Sequence, residues 1–490
     1  MAQLTCHLRG QYLIVRDENV LNRRLLEDYA RRVVWNDYTI FSDTTLQISQ
    51  ATAETASILL VGYIMHHECH NYDNKRLLSW LLSRSQKVEV IIRLLQDYGG
   101  RYVALIKDKS TTAAVTDSCA TRQLYWFSAG SQLIISSSAK MILDSLGLEP
   151  ELDEDTSRLL NDKVFNATEN AWYGDKWYDK RINKVLANHY LNMKTATAHR
   201  LKYYYDGPTR YGDILDYVES VLTGLIRAAH SRYQIIQPIT AGYDSRLLLA
   251  ASKRVWTDTR YYVFENNNDL NQSSDVKTAK GLCKKVGLDL EIVLPGRLRE
   301  DFLREYLKKC FFPRILPKTA HIQWHYYSHG KSNILNINGN CIGVVKCVYQ
   351  NKARGCDELG SLIKIAGFKR SFAPPIEMWY SNAINYCRDS NITVPDLFYW
   401  EQRMGNWGAM FPFEQDIAIE ELSPFNHKNL LLALLQVDYR KRRSPQRSWY
   451  EDLIYRLWPE TLSLPFNPIV GLQVKLRFKS GLKRIWELAS

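Results

Sequence analysis

The chain has 490 residues, of which 46% are hydrophobic and 12% aromatic, and it carries a formal net charge of +12. That composition excludes a disordered or fibrous protein, and the length exceeds the roughly 250–300 residues at which a single core stops growing, so two or three domains are expected. The longest apolar run, Ser57 to Met65, is about half of the ~18–20 residues that cross a bilayer and reads as a buried strand. Nine scattered cysteines, odd in number, predict reduced thiols. The N-terminus MAQLTCHLRGQYLIVRDENV lacks a basic region followed by a long apolar segment, so a cytoplasmic protein is expected. The basic charge fits a nucleic acid, a membrane surface or a small polyanion, and it is densest at Arg440 to Arg443 and from Val474 to Arg484.

In chain order, residues 1–205 read as short strands separated by turns. These are Tyr12 to Val15, Ile58 to Val61, Arg101 to Ile106, Leu124 to Phe127, Leu133 to Ser136 and His189 to Met193, and they predict a mostly β, layered domain. From about Asp213 the pattern changes to alternating helix and strand: helix Tyr217 to Ala229, strand Gln234 to Ile239, helix Ser245 to Lys253, strand Arg260 to Phe264, helix Ser274 to Val286 ending at Gly287, and strand Leu290 to Leu294. Such alternation predicts a doubly wound parallel sheet. Leu335 to Ile337 adds a strand, and the chain from about Ser361 reads as mostly helical. The expected division is 1–205, 206–473 and a basic tail, 474–490.

The stretch TAGYDSR, Thr240 to Arg246, lies between the first parallel strand and its helix, where a doubly wound sheet commonly holds a phosphate. Ala241 and Gly242 let backbone N–H groups approach a ligand, and the helix start adds its positive dipole end. Asp244 beside a phosphate requires an intervening cation such as Mg²⁺; its other reading, with Ser245, is helix N-capping. The stretch is neither a GxxxxGK[ST] loop nor a GxSxG elbow.

TAGYDSR resembles the SGGxDS pyrophosphate loop of N-type ATP pyrophosphatases, in the form carried by the asparagine synthetase family. Its neighbours extend the likeness: the strand Tyr261 to Phe264, Ser274-Asp275 with Ala279, the strand Val286 to Val293, then Pro424-Phe425-Asn426 with Leu430-Leu431, and Trp458-Pro459-Glu460. The first half is similar to that family's class II glutaminase domain, through Tyr98 to Ile106 with Asp108, Thr116-Asp117, Arg122 to Trp126, Leu133 to Lys140 and Ile182 to Leu191. The resemblance implies an α/β protein: a mostly β layered, glutaminase-like N-terminal domain, then a doubly wound parallel-sheet ATP pyrophosphatase domain of the adenine nucleotide α-hydrolase-like kind with a helical C-terminal region.

Three departures qualify it. A class II glutaminase needs its nucleophilic cysteine on the first residue of the mature chain; this sequence begins Met1-Ala2-Gln3, and Cys6 would serve only after cleavage, so a degenerate glutaminase domain is expected. Ile334 to Cys341 resembles the place of a glycine-rich loop ending in an Asp-Glu pair, yet no carboxylate occurs between Asn333 and Asn351; Lys346 is expected to neutralise phosphate charge there. The family's late lysine has no counterpart before Lys475, with Arg443 and Arg447 as substitutes.

The resemblance implies an ATP-dependent, amide-forming ligase that activates a carboxylate as an acyl-adenylate and releases pyrophosphate, without its own glutaminase activity. Thr240, Ala241, Gly242, Tyr243, Ser245, Arg246 and Gly339 would hold phosphates, Asp244 would bind Mg²⁺, Asp244 and Lys346 would act in catalysis, and Val263, Phe264 and Glu265 would meet adenosine. The implied partners are a small-molecule or peptide carboxylate and ammonia or an amine. Two other readings are a non-catalytic nucleotide- or partner-binding relative and an ATP-dependent RNA-modifying enzyme; no RNA-binding domain is recognised. The tail from Val474, mixing apolar and basic residues, fits either weak membrane-surface contact or a docked helix. His66-His67-Glu68-Cys69-His70 lacks a metal-ligand spacing. Cys341 and Cys347 read as buried fillers, and Trp400, Trp407 and Trp449 as a substrate wall or a helical core.

Overall fold

A computed structural model describes residues 6–22, 27–163, 165, 169–265, 273–310, 318–329, 333–349, 358–366, 373–443 and 447–468. The basic tail and Lys475 lie outside the described residues. Cys6 begins a short 3-10 turn, Cys6–Leu8. Two six-stranded antiparallel sheets follow, built from β1 (Tyr12–Val15), β2 (Arg31–Trp35), β3 (Tyr38–Ser42), β4 (Ile48–Thr52), β5 (Ser57–Met65), β6 (Gly99–Lys107), β7 (Thr112–Thr116), β8 (Tyr125–Ala129), β9 (Gln132–Ser136), β10 (Asn183–Lys184), β11 (His189–Asn192) and β12 (Thr197–Arg200). Their orders are β10-β8-β9-β1-β3-β2 and β12-β11-β7-β6-β5-β4.

The long apolar run Ser57 to Met65 is uniformly buried because both of its faces are covered. Side chains on a strand alternate between faces. Leu59 and Val61 of β5, with Val103 and Leu105 of β6, meet Tyr12, Ile14 and Ile135 of the other sheet. Ile58, Leu60 and Ile64 meet Leu77, Leu81 and Ile91 of the helices Asn74–Arg84 and Val88–Leu94. Helix Ala139–Leu146 packs Ile142 and Leu143 against Leu13, Val15 and Ile134 on the outer face of the other sheet, so the layers are helix, sheet, sheet, helix. All the strands read from the sequence in this region are present; β2, β3, β4, β7, β10 and β12 join them.

The second half begins with helix Tyr211–His230, one apolar face of which is buried from Ile214 to Ala229. It leads into a five-stranded, wholly parallel sheet: β13 (Gln234–Pro238), β14 (Thr259–Phe264), β15 (Leu290–Val293), β16 (Ile334–Ile337) and β17 (Glu420–Leu422), in the order β15-β14-β13-β16-β17. Helices Tyr243–Ala251 and Ser274–Val286 make the first crossovers, the second stopped by Gly287 in the left-handed conformation at φ 73°. The region read as mostly helical contains β17, three residues paired to β16.

The antiparallel sheets meet the parallel one through a buried network. Arg101 of β6 binds both carboxylate oxygens of Asp416, at 2.8 Å to Oδ2, and Glu420 at 2.8 Å; Arg122 reaches Glu420 at 2.7 Å. Asn426 accepts the Cys119 N–H at 3.0 Å and donates to the Gly100 carbonyl at 2.8 Å. Among the described residues no helix is long and apolar enough to cross a membrane.

Candidate functional site

Neighbouring strands β13 and β16 diverge in connection: β14 and β15 lie on one side of the pair and β17 on the other. In an open parallel sheet the crevice beyond the carboxyl ends at such a reversal is the natural ligand position. The loop after β13 carries Thr240 to Gly242, and the loop after β16 carries Gly339 and Lys346. The sheet therefore brings together two segments about a hundred residues apart in sequence.

The first loop is preorganised by its own side chains. The Thr240 N–H donates to Ser245 Oγ at 3.1 Å, the two hydroxyls lie 2.7 Å apart, and the Gly242 N–H donates to Thr240 Oγ1 at 3.2 Å. The Ala241 N–H donates to Asp275 Oδ1 at 2.8 Å, from the start of the next helix. Gly242 occupies the N-cap of helix Tyr243–Ala251 without a side chain to cap it. A helix start left uncapped at the mouth of a crevice is a position for an anion. Asp244 does not cap the helix here.

The Asp244 carboxylate points across the crevice. Its Oδ2 lies 2.5 Å from Lys346 Nζ, and its Oδ1 accepts the Tyr450 hydroxyl at 2.7 Å. The side chains are 30% and 15% exposed, so the pair faces the opening rather than the core. Mg²⁺ was expected on Asp244, and the donor set does not fit it. Both carboxylate oxygens already face donors, Asp275 is engaged by a backbone N–H, and no carboxylate stands in 333–349. Mg²⁺ requires near-octahedral oxygen ligation. The ammonium of Lys346 stands in its place.

Gly339 is where it is because nothing larger fits: a Cβ there would lie 2.5 Å from Asp244 Cβ. Gly339→Ala is expected to cost about 1–3 kcal/mol by forcing the two loops apart. An unchanged urea-denaturation midpoint would refute this close approach.

Arg246 was expected on phosphate, and the structure places it elsewhere. It is fully buried, donates to the Leu464 carbonyl and, at 3.1 Å, to the Pro465 carbonyl, and stacks 4.0 Å from the Phe466 ring centre. Burial lowers its guanidinium to about 10. Tyr243 stacks on the same Phe466 ring at 3.9 Å, and the Asn467 N–H donates to the Ala241 carbonyl at 3.0 Å. Residues 464–467 thus clamp the loop, and Arg246 is the positioning residue of that clamp.

Among the residues expected beside adenosine, Val263 is core and pairs with Ile292. The Glu265 N–H donates to the Val293 carbonyl at 2.9 Å, and its carboxylate accepts the Ser273 N–H at 3.1 Å. Phe264 ends β14 and pairs with Val293 of β15. Its ring stacks on His321 at 3.7 Å. Tyr450, Asp275 and residues 464–467 were not read as site residues; Asp275 alone had a signal, in the Ser274-Asp275 pair.

His67, Asp97 and His427 converge to within 4.8 Å, although sequence spacing gave no metal motif. His427 Nδ1 accepts the Leu430 N–H at 3.1 Å and His66 Nδ1 the Glu68 N–H at 3.3 Å. That places the His427 proton on Nε2, 3.8 Å from Asp97 Oδ1, so this nitrogen offers no lone pair to a metal. Cys341 and Cys347 are buried, and burial raises the Cys347 thiol to about 11. Trp400 and Trp449 belong to the core, whereas Trp407 lines a cavity.

No family profile and no curated protein matches the chain. Among solved structures, the glutamine phosphoribosylpyrophosphate amidotransferase from B. subtilis complexed with ADP and GMP is 10% identical over 69% of this chain and 70% of its own, with a TM-score of 0.24. An allosteric regulatory enzyme of purine biosynthesis is 9% identical, over 59% and 76%, at 0.25. The glutamine-dependent NAD+ synthetase from Acinetobacter baumannii, in complex with ADP, is 11% identical, over 53% and 64%, at 0.21. Likenesses this shallow assign no activity to the chain.

Proposed function

We propose that the crevice between the loops after β13 and β16 binds ATP and that the protein is an ATP-dependent, amide-forming ligase without glutaminase activity of its own. The observation that carries this reading is the meeting of an uncapped helix start with Lys346 at the reversal point of a parallel sheet. Thr240, Gly242, Ser245 and the helix start face the phosphates, and Lys346 carries the charge that stabilises them. A substrate carboxylate oxygen attacks the α-phosphorus, and pyrophosphate leaves with the bonding electrons. An amine nitrogen then attacks the acyl carbon, loses a proton and releases AMP. The protein's contribution is position and fixed charge.

The test is exchange of labelled pyrophosphate into ATP with a panel of carboxylic acids. The wild-type chain is expected to exchange with at least one acid, and Lys346→Met to lose roughly a hundredfold or more, about 2.7 kcal/mol of transition-state stabilisation. A second reading, a nucleotide binder without chemistry, is favoured by one observation: both oxygens of Asp244 are already engaged. Tight ATP binding without exchange for any acid would select it and defeat the first.

A further inference from the structure

A second site lies away from the crevice, in a cavity of about 50 Å³ walled by Trp172, Trp177 and Trp407. Lys184 and Lys309 also line it; they are 4% and 1% exposed. Each ammonium has three N–H groups to place. Lys184 Nζ donates to the Gly405 carbonyl at 2.8 Å and lies 5.5 Å from the Tyr125 ring; Lys309 Nζ donates to the Arg9 carbonyl at 2.8 Å and lies 4.7 Å from the Phe413 ring. No carboxylate is among the described residues lining the cavity. Asp416, Asp43, Arg101 and the cavity residue Cys310 act on Lys309, and Glu169 accepts the Trp407 indole N–H at 2.9 Å. Gln123, 2% exposed, also lines the cavity, and its Oε1 has no hydrogen-bond partner among the described residues.

A buried ammonium is costly unless its N–H groups are met, and two lining one cavity are costlier. The remaining N–H groups call for an anion, and the unpartnered Gln123 Oε1 calls for a donor. We propose that this cavity binds a small hydroxycarboxylate, its carboxylate between the ammonium groups of Lys184 and Lys309 and its hydroxyl on Gln123 Oε1. The volume holds only a few water molecules, which limits the ligand, or its inserted end, to about the size of glycolate. The π-helical run Tyr399–Gly408 supplies both Tyr399, in electrostatic reach of Asp244, and the cavity residues Asn406 and Trp407, so the two sites share one element.

Burial lowers Lys184 to about 7 and Lys309 to about 8. A bound carboxylate favours their charged forms, so affinity is full below those values and lost as pH rises through them. The experiment is thermal melting of the full chain against sodium glycolate, with sodium chloride and sodium phosphate at matched ionic strength. Glycolate alone is expected to raise the midpoint saturably, and the half-saturating concentration to rise at least tenfold or so between about pH 6 and about pH 9. Lys184→Met and Lys309→Met are each expected to weaken it at least about tenfold, with circular dichroism reporting the fold. If either variant does not fold, the other and the wild-type pH profile carry the test. Equal shifts with chloride or phosphate, a flat pH profile, or folded methionine variants that respond like wild type would each overturn the proposal.

Discussion

Asp416→Ala is expected to lower the stability of the folded chain by about 3–5 kcal/mol, because it leaves two arginines without a carboxylate they share. Arg101 and Arg122 are 3% and 1% exposed. Arg101 holds both oxygens of Asp416, and Arg122 approaches it at 3.5 Å. Burial alone would raise the Glu420 carboxyl, yet Arg122 and Arg101 hold it at about 2, so one carboxylate stays ionised in the variant. Glu420 meets each guanidinium with one oxygen, so in the variant a single negative charge is left against two buried positive ones. Gly10 packs against the same side chain, with a would-be Cβ 2.8 Å from Asp416 Cγ, so removal also opens a void. Chemical denaturation measures the loss. The double variant Arg101→Met, Asp416→Leu is expected to recover much of it, since a buried ion pair replaced by packed apolar groups costs little. A loss under about 1 kcal/mol in Asp416→Ala would show that the network does not join the two halves.

The parallel sheet was legible because its strands β13 and β14 are short, apolar and each followed by a helical run, and β13 to β16 appear within a residue or two of their expected bounds. β17 was not, since Glu420-Glu421-Leu422 carries no apolar alternation and forms only by pairing with β16. β2 escaped for a related reason: Arg31–Trp35 alternates half-buried and exposed residues at the edge of its sheet. In the site, TAGYDS announced itself through small residues before a helix. The role of Arg246 did not, because its carbonyl partners are 218 and 219 residues away and nothing local marks them. The Mg²⁺ expectation rested on Asp244 read alone. Lys346, 102 residues on, reverses it, and only the strand order could place it there.

That reversal has a measurable consequence. ATP affinity of the wild-type chain is expected to change by no more than about twofold between buffer with Mg²⁺ and buffer with EDTA, since an ammonium supplies the positive charge. Lys346→Met is expected to weaken ATP in EDTA by about tenfold to a hundredfold, or 1.4–2.8 kcal/mol. It removes a charge-assisted contact and leaves the Asp244 carboxylate facing the phosphates. Lys346→Arg keeps the charge and is expected to lose much less. Adding Mg²⁺ to Lys346→Met should restore part of the affinity, because Asp244 Oδ2 is then open to a cation. Calorimetry of the three chains in both buffers decides it. Wild-type binding that collapses in EDTA would return the carboxylate to a metal and make Lys346 a surface contact. Binding by Lys346→Met equal to wild type would remove Lys346 from the phosphate site altogether.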